Sequence, residues 1–288
     1  MPDIATYAVP RSLEEAVELL RSGEVTILAG GTDLMVQAQA GKARFNPTLM
    51  NIRRVPELSG IAESGGVVRI GALATVTDML DSALIRQRFS ALWQACDHFA
   101  SDQIRNAATI GGNICNASPA GDTLVPLLVL DARVVLAAKP NGSVTRRTLS
   151  LAEFLVGPGR TAREPSELLE AVEIPVPPAG FVSAFFKFGT RPALDIAVIA
   201  IGLAAVRDGR KLTDVRVAFG AVAPTPIRAP ATEAILEGCT LDAATIAAAA
   251  AAAVGDVHPI SDVRASDWYR RELVGNMLRR MLDHVGNG

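Results

Sequence analysis

Cysteine and histidine are scarce in this 288-residue sequence, which contains three of each. Cys96, Cys115 and Cys239 are far apart, and no Cys-x-x-Cys pair is present. This spacing argues against structural zinc and against an iron–sulfur cluster held by the chain itself. The histidines form no metal-ligand pattern, so we expect no bound metal. Dispersed cysteines in odd number are typical of a reducing compartment.

The sequence also lacks a strong excess of charge and a long apolar run. It has 28 basic and 30 acidic residues, a net charge of −2, which argues against a nucleic-acid partner. The most apolar stretch, Ile196–Val206, is too short to span a bilayer, and the alanine-rich Ala243–Val254 favours a helix. Residues 1–7 lack the apolar core of a signal peptide. We therefore predict a soluble cytoplasmic protein without a membrane span.

Two common nucleotide-binding motifs, Gly-x-Gly-x-x-Gly and Gly-x-x-x-x-Gly-Lys-Ser/Thr, are missing, which disfavours a Rossmann site and a P-loop. The chain instead has two double-glycine segments, Leu28–Leu34 and Thr109–Asp122. Adjacent glycines let backbone amides approach a ligand without interference from a Cβ, and such amides form anion-binding concavities. We interpret the two segments as a site for a ligand with phosphates and a polar body. The alternative is an ordinary tight turn at each segment.

The periodicity of apolar residues predicts an α+β fold. The pattern Ser12–Glu15 is a capping box that begins a helix ending near Gly23, and Val25–Ala29 is a strand that leads into the first glycine pair. A strand, a glycine turn and a helix present amides and a helix N-terminus to an anion. Helical spacing over Leu84–Phe99 predicts one helix. The second glycine pair is expected to form a turn before a helix over Thr123–Asp131.

The last third of the chain predicts a separate domain, since prolines at 175, 177 and 178 mark a boundary. Three strands follow, over Phe181–Phe188, Ile196–Arg207 and Leu212–Ala221, and then helices. In the last helix Tyr269, Leu273, Met277 and Met281 form an apolar stripe flanked by arginines. The stripe either docks a partner or packs on its own domain.

These motifs carry a family resemblance. Leu28–Leu34, Gln103–Ile114, Ser118-Pro119 and Asp122 resemble the FAD-binding subunit of molybdenum hydroxylases, the xanthine dehydrogenase, carbon monoxide dehydrogenase and 4-hydroxybenzoyl-CoA reductase family. The similarity continues through residues 171–175, 186–187, 191–197 and 269–271. It implies a PCMH-type FAD-binding domain over residues 1–176, with subdomains at about 1–54 and 55–176. A C-terminal domain over residues 177–288 follows, made of a three-stranded antiparallel sheet plus helices.

The resemblance also implies which residues bind FAD. The two glycine segments would wrap the pyrophosphate through their amides and through the side chains of Thr32, Thr109 and Asn113. Asp122 would bind the ribityl or adenosine end, and Lys187 would stabilise the reduced flavin. The residues implied in this way are Ile27, Leu28, Ala29, Gly30, Gly31, Thr32, Asp33, Leu34, Phe99, Thr109, Ile110, Gly111, Gly112, Asn113, Asp122, Leu169 and Lys187.

Some of these assignments have simpler alternatives. Phe99 and Leu169 can belong to the core, and Lys187 can be a surface lysine whose alkyl stem packs on the protein. Lys187 interrupts an aromatic run, however, where an unpaired charge would be costly. Neither glycine segment contains a histidine, so we expect the FAD to be noncovalent. The resemblance implies no catalytic side chain.

The resemblance implies an oxidoreductase subunit that transfers electrons. A large subunit would bind molybdopterin, a small subunit would hold two [2Fe–2S] clusters, and this chain would pass electrons through FAD to NAD⁺ or another acceptor. The chain lacks the cysteine-rich loop of the 4-hydroxybenzoyl-CoA reductase branch. It has Thr32 and Asp33 where the carbon monoxide dehydrogenase branch usually has His and Ser. The first departure favours a hydroxylase over the reductase, and the segment Asn116–Pro119 with Asp122 looks closer to the xanthine dehydrogenase type. The alternatives are a medium subunit of one of those branches, a self-contained flavin enzyme, or a non-redox nucleotide-binding assembly module.

Overall fold

The computed structural model describes residues 4–191 and 194–287. In these ranges the chain forms three main sheets with helices packed on them and one short two-stranded ribbon. Pro192 and Ala193, in the segment 191–197 that contributed to the resemblance, lie outside the described residues.

The first sheet is parallel, with strand order β1-β3-β2. Its strands are β1 (Thr6–Ala8), β2 (Val25–Leu28) and β3 (Thr48–Asn51), and its helices are α1 (Leu13–Leu20) and α2 (Leu34–Gln39). Half of the predicted capping box of α1 is present: the Ser12 hydroxyl accepts a hydrogen bond from the Glu15 amide at 3.1 Å, but the Glu15 carboxylate accepts from the Arg11 amide at 2.7 Å instead of from the Ser12 amide. The buried residues of α1 form a small core with β3 and the segment that follows it. Strand β2 ends at Leu28, so that only Ala29 separates it from the first glycine pair.

The second sheet has five antiparallel strands in the order β4-β5-β10-β6-β7. Its strands are β4 (Ile61–Ser64), β5 (Val67–Gly71), β6 (Arg133–Ala138), β7 (Thr145–Ser150) and β10 (Leu168–Pro175). The ribbon consists of β8 (Leu155–Gly157) and β9 (Arg160–Thr161). A 3₁₀ turn covers Pro56–Leu58, and the helices are α3 (Val76–Asp81), α4 (Ala83–Arg88), α5 (Ser90–Asp97), α6 (Asp102–Arg105), α7 (Ile110–Asn116), α8 (Leu124–Val129) and α9 (Leu151–Phe154). These helices and one face of the sheet enclose the largest core of the molecule.

The prediction of one helix over Leu84–Phe99 is wrong, because the chain breaks at Phe89 into α4 and α5. Phe89 has φ −134° and ψ 64°, which is not a helical conformation. Its side chain is fully buried. The apolar spacing continues across the break because both helices face the same core, so periodicity alone does not reveal the break.

The third sheet is antiparallel, with the order β11-β12-β13-β14. Its strands are β11 (Phe181–Phe188), β12 (Ile199–Asp208), β13 (Lys211–Gly220) and β14 (Ile227–Arg228), followed by α10 (Pro230–Leu236), α11 (Ala243–Asp256) and α12 (Asp267–Asn287). The three predicted strands are present, and the two-residue β14 is an addition to them. One face of the sheet packs on its own helices, and the other contacts α5 and α8 of the preceding region.

Helix α12 packs on its own domain. Met281 is fully buried, and Leu273 and Met277 contact the same core from its margin. Of the flanking arginines, Arg270 is itself buried. The apolar stripe therefore packs largely on the core of its own domain. Of its four residues, only Tyr269 is exposed. Among the described helices, none combines the length and the apolar character needed to cross a bilayer.

Candidate functional site

Two adjoining cavities lie between the first sheet and the second sheet with its helices. The first has a volume of about 440 Å³ and is bounded by β2, the first glycine turn, α7 and the start of β10. The second, of about 670 Å³, shares Thr32, Asp33, Phe99 and Asn113 with the first. Both volumes fall within the range of roughly 300–1,000 Å³ that is usual for ligand pockets.

The first glycine pair allows close contact between two backbone segments that are far apart in the sequence. A Cβ placed on Gly30 would lie 2.1 Å from the carbonyl oxygen of Ala107, so no other residue fits at this position. Gly31 has φ +74°, a conformation that favours glycine. The turn is therefore pressed against the chain just before the second glycine segment, and the two segments form one wall.

The amides of the first turn are available to a ligand. Within residues 4–191 and 194–287, no hydrogen bond occupies the amides of Gly30, Gly31, Thr32 or Asp33. All four residues line the first cavity. Such a group of amides is a ready site for an anion.

The prediction that the second glycine pair forms a turn before a helix is wrong. Gly111 and Gly112 lie inside a helix, in the first turn of α7. The amide of Ile110 donates to Ala74 at 3.0 Å and that of Gly111 to Ala72 at 2.9 Å. The Gly112 amide donates to the Thr109 hydroxyl at 3.0 Å, and the Asn113 amide donates to the Thr109 carbonyl at 3.0 Å. The expected backbone donors of this segment are therefore already used.

Gly111 is required by packing. A Cβ there would lie 2.7 Å from the carbonyl oxygen of Ala72, beneath the cavity wall. A larger residue at 111 would therefore press on Ala72, the residue directly after β5. The side-chain hydroxyl of Thr109 and the side-chain amide of Asn113 remain as polar groups of this segment in the first cavity.

A side-chain network joins the two segments. The Asn116 side-chain amide donates to the Asp33 carboxylate at 2.6 Å, and the Gln37 amide donates to the Asn116 carbonyl oxygen at 2.9 Å. Asn116 and Gln37 were not among the sequence-predicted site residues. Their contact depends on tertiary structure, so no local motif identifies it.

Asp122 and Lys187 form a nearly buried ion pair. The Lys187 Nζ lies 2.7 Å from Asp122 Oδ2, and the two side chains are 8% and 12% exposed. Burial raises the pKa of Asp122 above its ordinary value, and the Lys187 ammonium opposes this rise. Asp122 Oδ1 is buried without a hydrogen-bond partner among the described residues. Since Asp122 lines the second cavity, this oxygen is an acceptor that a ligand could use.

Most of the sequence-predicted site residues line one or both cavities; the exceptions are Leu28, Ile110 and Lys187. Ile110 is fully buried in the core, and Lys187 reaches the second cavity only through Asp122. Phe99 lines both cavities, and Leu169 lines the first. Sequence reasoning missed Thr161, at the end of β9, and Arg163, in the connection between β9 and β10, which both line the first cavity. That connection carries no motif.

Comparison with known proteins covers both halves of the chain. The family model "FAD binding domain in molybdopterin dehydrogenase" matches residues 3–177. The family model "CO dehydrogenase flavoprotein C-terminal domain" matches residues 184–285.

Individual relatives are similar to this chain over nearly their whole length. The xanthine dehydrogenase FAD-binding subunit of Escherichia coli O157:H7 is 34% identical, over 99% of this chain and 97% of that protein. The carbon monoxide dehydrogenase medium chain of Hydrogenophaga pseudoflava is 32% identical, over 98% and 97%. A solved chain of reconstituted CO dehydrogenase from Oligotropha carboxidovorans has a TM-score of 0.93 at 31% identity, with 100% of this chain and 99% of that chain covered.

Proposed function

Because the chain belongs to the family of FAD-binding medium subunits of xanthine and CO dehydrogenase-type molybdenum hydroxylases, we propose that it relays electrons from iron–sulfur clusters to NAD⁺ or another acceptor. Family membership makes it an FAD-dependent oxidoreductase subunit. The proposal adds the direction of electron flow, the residues that hold the cofactor and the partners.

The observation that carries the proposal is the wall formed by the two glycine segments. The amides of Gly30–Asp33, which have no hydrogen bond within the described residues, belong to residues that line the first cavity, and Phe99 lines both this cavity and the adjoining second one. An elongated dinucleotide needs such a pair of connected spaces, with an anion site in its wall. Asp122 lines the second cavity, and its buried Oδ1, which has no partner among the described residues, suits the hydroxyl-rich part of the same ligand. The residues present therefore fit FAD.

Each part of the wall has its own task. The amides of Gly30–Asp33 and the side chains of Thr32, Thr109 and Asn113 bind the pyrophosphate, and Asp122 accepts hydrogen bonds from the ribityl or adenosine hydroxyls. Phe99 and Leu169 exclude water from the apolar surface of the cofactor. Lys187 holds the Asp122 carboxylate in place and contributes positive charge nearby. When bound, FAD supplies the capacity to take up and release electrons.

The binding is proposed to be noncovalent. No histidine lies in either glycine segment. Cys115, which does line the first cavity, has its pKa raised to about 11 by burial, so it is a poor nucleophile.

The partners proposed are a large subunit with molybdopterin and a small subunit with [2Fe–2S] clusters, in a cytoplasmic complex. Names of relatives support this: several are called medium chains or FAD-binding subunits, and one solved relative is described by the state of its molybdenum cofactor. The proposed domains are residues 1–176, with subdomains at about 1–54 and 55–176, and residues 177–288. The matched ranges 3–177 and 184–285 support a boundary near Pro177.

The absorption spectrum of the purified chain tests the proposal. We expect a flavin spectrum, complete release of the flavin by acid, and identification of the released compound as FAD by mass spectrometry. A colourless chain that rejects added FAD would favour the non-redox assembly module instead. Substrate turnover by the isolated chain would favour a self-contained flavin enzyme. Proteins that copurify with it identify the partners, and the assembled complex is then assayed with xanthine, CO and NAD⁺.

A further inference from the structure

Arg163 is the one cationic residue that lines either cavity within the described part of the chain. The other charged residues in the two walls are carboxylates, those of Asp33, Asp122 and Asp195. A site for a dinucleotide must accommodate an anionic pyrophosphate. With carboxylates around it, the position of the single guanidinium is decisive for the electrostatics of the site.

The Arg163 guanidinium is anchored on one side and open on the other. Its Nη1 donates to the carbonyl oxygens of Glu167 at 2.7 Å, Glu164 at 3.0 Å and Pro165 at 3.5 Å. Within residues 4–191 and 194–287, its Nε and Nη2 have no hydrogen-bond partner. Three of the five N–H groups of an arginine are therefore left for a ligand.

No carboxylate neutralises this guanidinium at salt-bridge distance within the described residues. The nearby Glu167 carboxylate is engaged by Arg147, whose Nη2 lies 2.7 Å from Oε2, and by the Glu164 amide at 2.7 Å. Arg163 therefore keeps an unpaired charge at the cavity wall.

This charge acts on the second glycine segment. Cys115 belongs to α7, whose first turn contains Gly111 and Gly112, and it lines the same cavity. The positive charge of Arg163 opposes the rise in the Cys115 pKa that burial causes. The guanidinium is therefore close enough to influence α7 from across the wall.

We propose that Arg163 is a cofactor-binding residue that pairs with the pyrophosphate of FAD. The inference rests on the proposed function and adds a residue to its site. The open amides of Gly30–Asp33 supply neutral donors, and Arg163 supplies the compensating charge. A guanidinium suits this task because its parallel N–H groups match two oxygens of a phosphate.

The test is a titration of the full chain, freed of flavin, with FAD, ADP and riboflavin. In R163Q, we expect the affinities for FAD and ADP to fall about 10- to 100-fold, the range for a lost charge-assisted hydrogen bond. Riboflavin, which has no phosphate, is expected to bind R163Q and the unchanged chain equally. In R163K, the affinity for FAD and ADP should recover in part, because lysine keeps the positive charge but lacks the parallel N–H groups of a guanidinium.

R160Q is the matched control. Arg160 lies three residues earlier, is exposed, and is outside both cavity walls. Its replacement should leave all three affinities unchanged.

Two results would overturn the proposal. If R163Q binds FAD and ADP as tightly as the unchanged chain, Arg163 does not bind the pyrophosphate. If R163Q loses affinity for riboflavin and ADP alike, Arg163 only braces the turn at residues 164–167. Failure of the unchanged chain to bind FAD while it binds ADP in an Arg163-dependent manner would instead reject the flavin function and keep the phosphate site.

Discussion

The side-chain amide of Asn116 donates a hydrogen bond to the carboxylate of Asp33 across 2.6 Å, although the two residues are 83 positions apart. Asp33 lies in the first glycine segment and Asn116 in the second. Gln37 completes the connection by donating to Asn116 at 2.9 Å. The two segments are therefore held in one arrangement by side chains as well as by the close backbone contact at Gly30.

Replacement of Asn116 by alanine tests this connection. We expect N116A to weaken FAD binding about 5- to 30-fold, because two hydrogen bonds that order the wall are lost. Flavin fluorescence titration measures the change. N276A is the control, since Asn276 is exposed on α12 and its side chain makes one hydrogen bond among the described residues, accepted from Arg279 at 3.3 Å. Equal FAD affinities in N116A and N276A would contradict the role of this connection.

Replacement of Gly30 by alanine tests the backbone contact. The added Cβ would lie 2.1 Å from the Ala107 carbonyl oxygen, so the turn must move away. We expect G30A to lose about 1–3 kcal/mol of unfolding free energy and most of its FAD. In the control G255A the added Cβ meets nothing within 4 Å, and this helical position should gain up to about 1 kcal/mol. Denaturant unfolding and flavin content are the measurements. Full FAD retention in a stable G30A would show that the contact is dispensable.

Replacement of Lys187 by methionine tests the ion pair with Asp122. Burial raises the pKa of Asp122 in the folded state, and Lys187 opposes this. Because the pKa of Asp122 is higher in the folded state than in the unfolded state, its protonated carboxyl adds to the free energy of unfolding at low pH. This contribution is complete below about pH 4, the pKa in the unfolded state, and is lost as the pH rises through the folded-state pKa. Without Lys187 this loss grows, so we expect K187M to be destabilised by about 2–4 kcal/mol at pH 8 and by less at pH 5.

Unfolding of K187M and K187M/D122N at several pH values measures this effect. The double variant has no carboxylate at position 122, so it should be more stable than K187M at pH 8, and the difference between these two variants should shrink at pH 5. A loss in K187M that is the same at pH 5 and pH 8 would contradict an electrostatic origin.

The strands that pack on both faces were predictable because their residues are almost continuously apolar or β-branched. Strand β11 has the predicted bounds, Phe181–Phe188. The break at Phe89 was not predictable, because the apolar spacing continues through it. The two-residue β14 is also too short to leave a pattern in the sequence.

Residues close together in the chain were enough to indicate the family, the α+β class and the two glycine segments. How those segments work depends on contacts that form only in the folded chain. The tertiary structure paired Lys187 with Asp122, which are 65 positions apart, occupied the amides of the second segment, and placed Arg163 at the cavity wall. The physical reason is that the partners of a charge or an amide are set by which strands and helices pack together. Chain neighbours do not specify that packing.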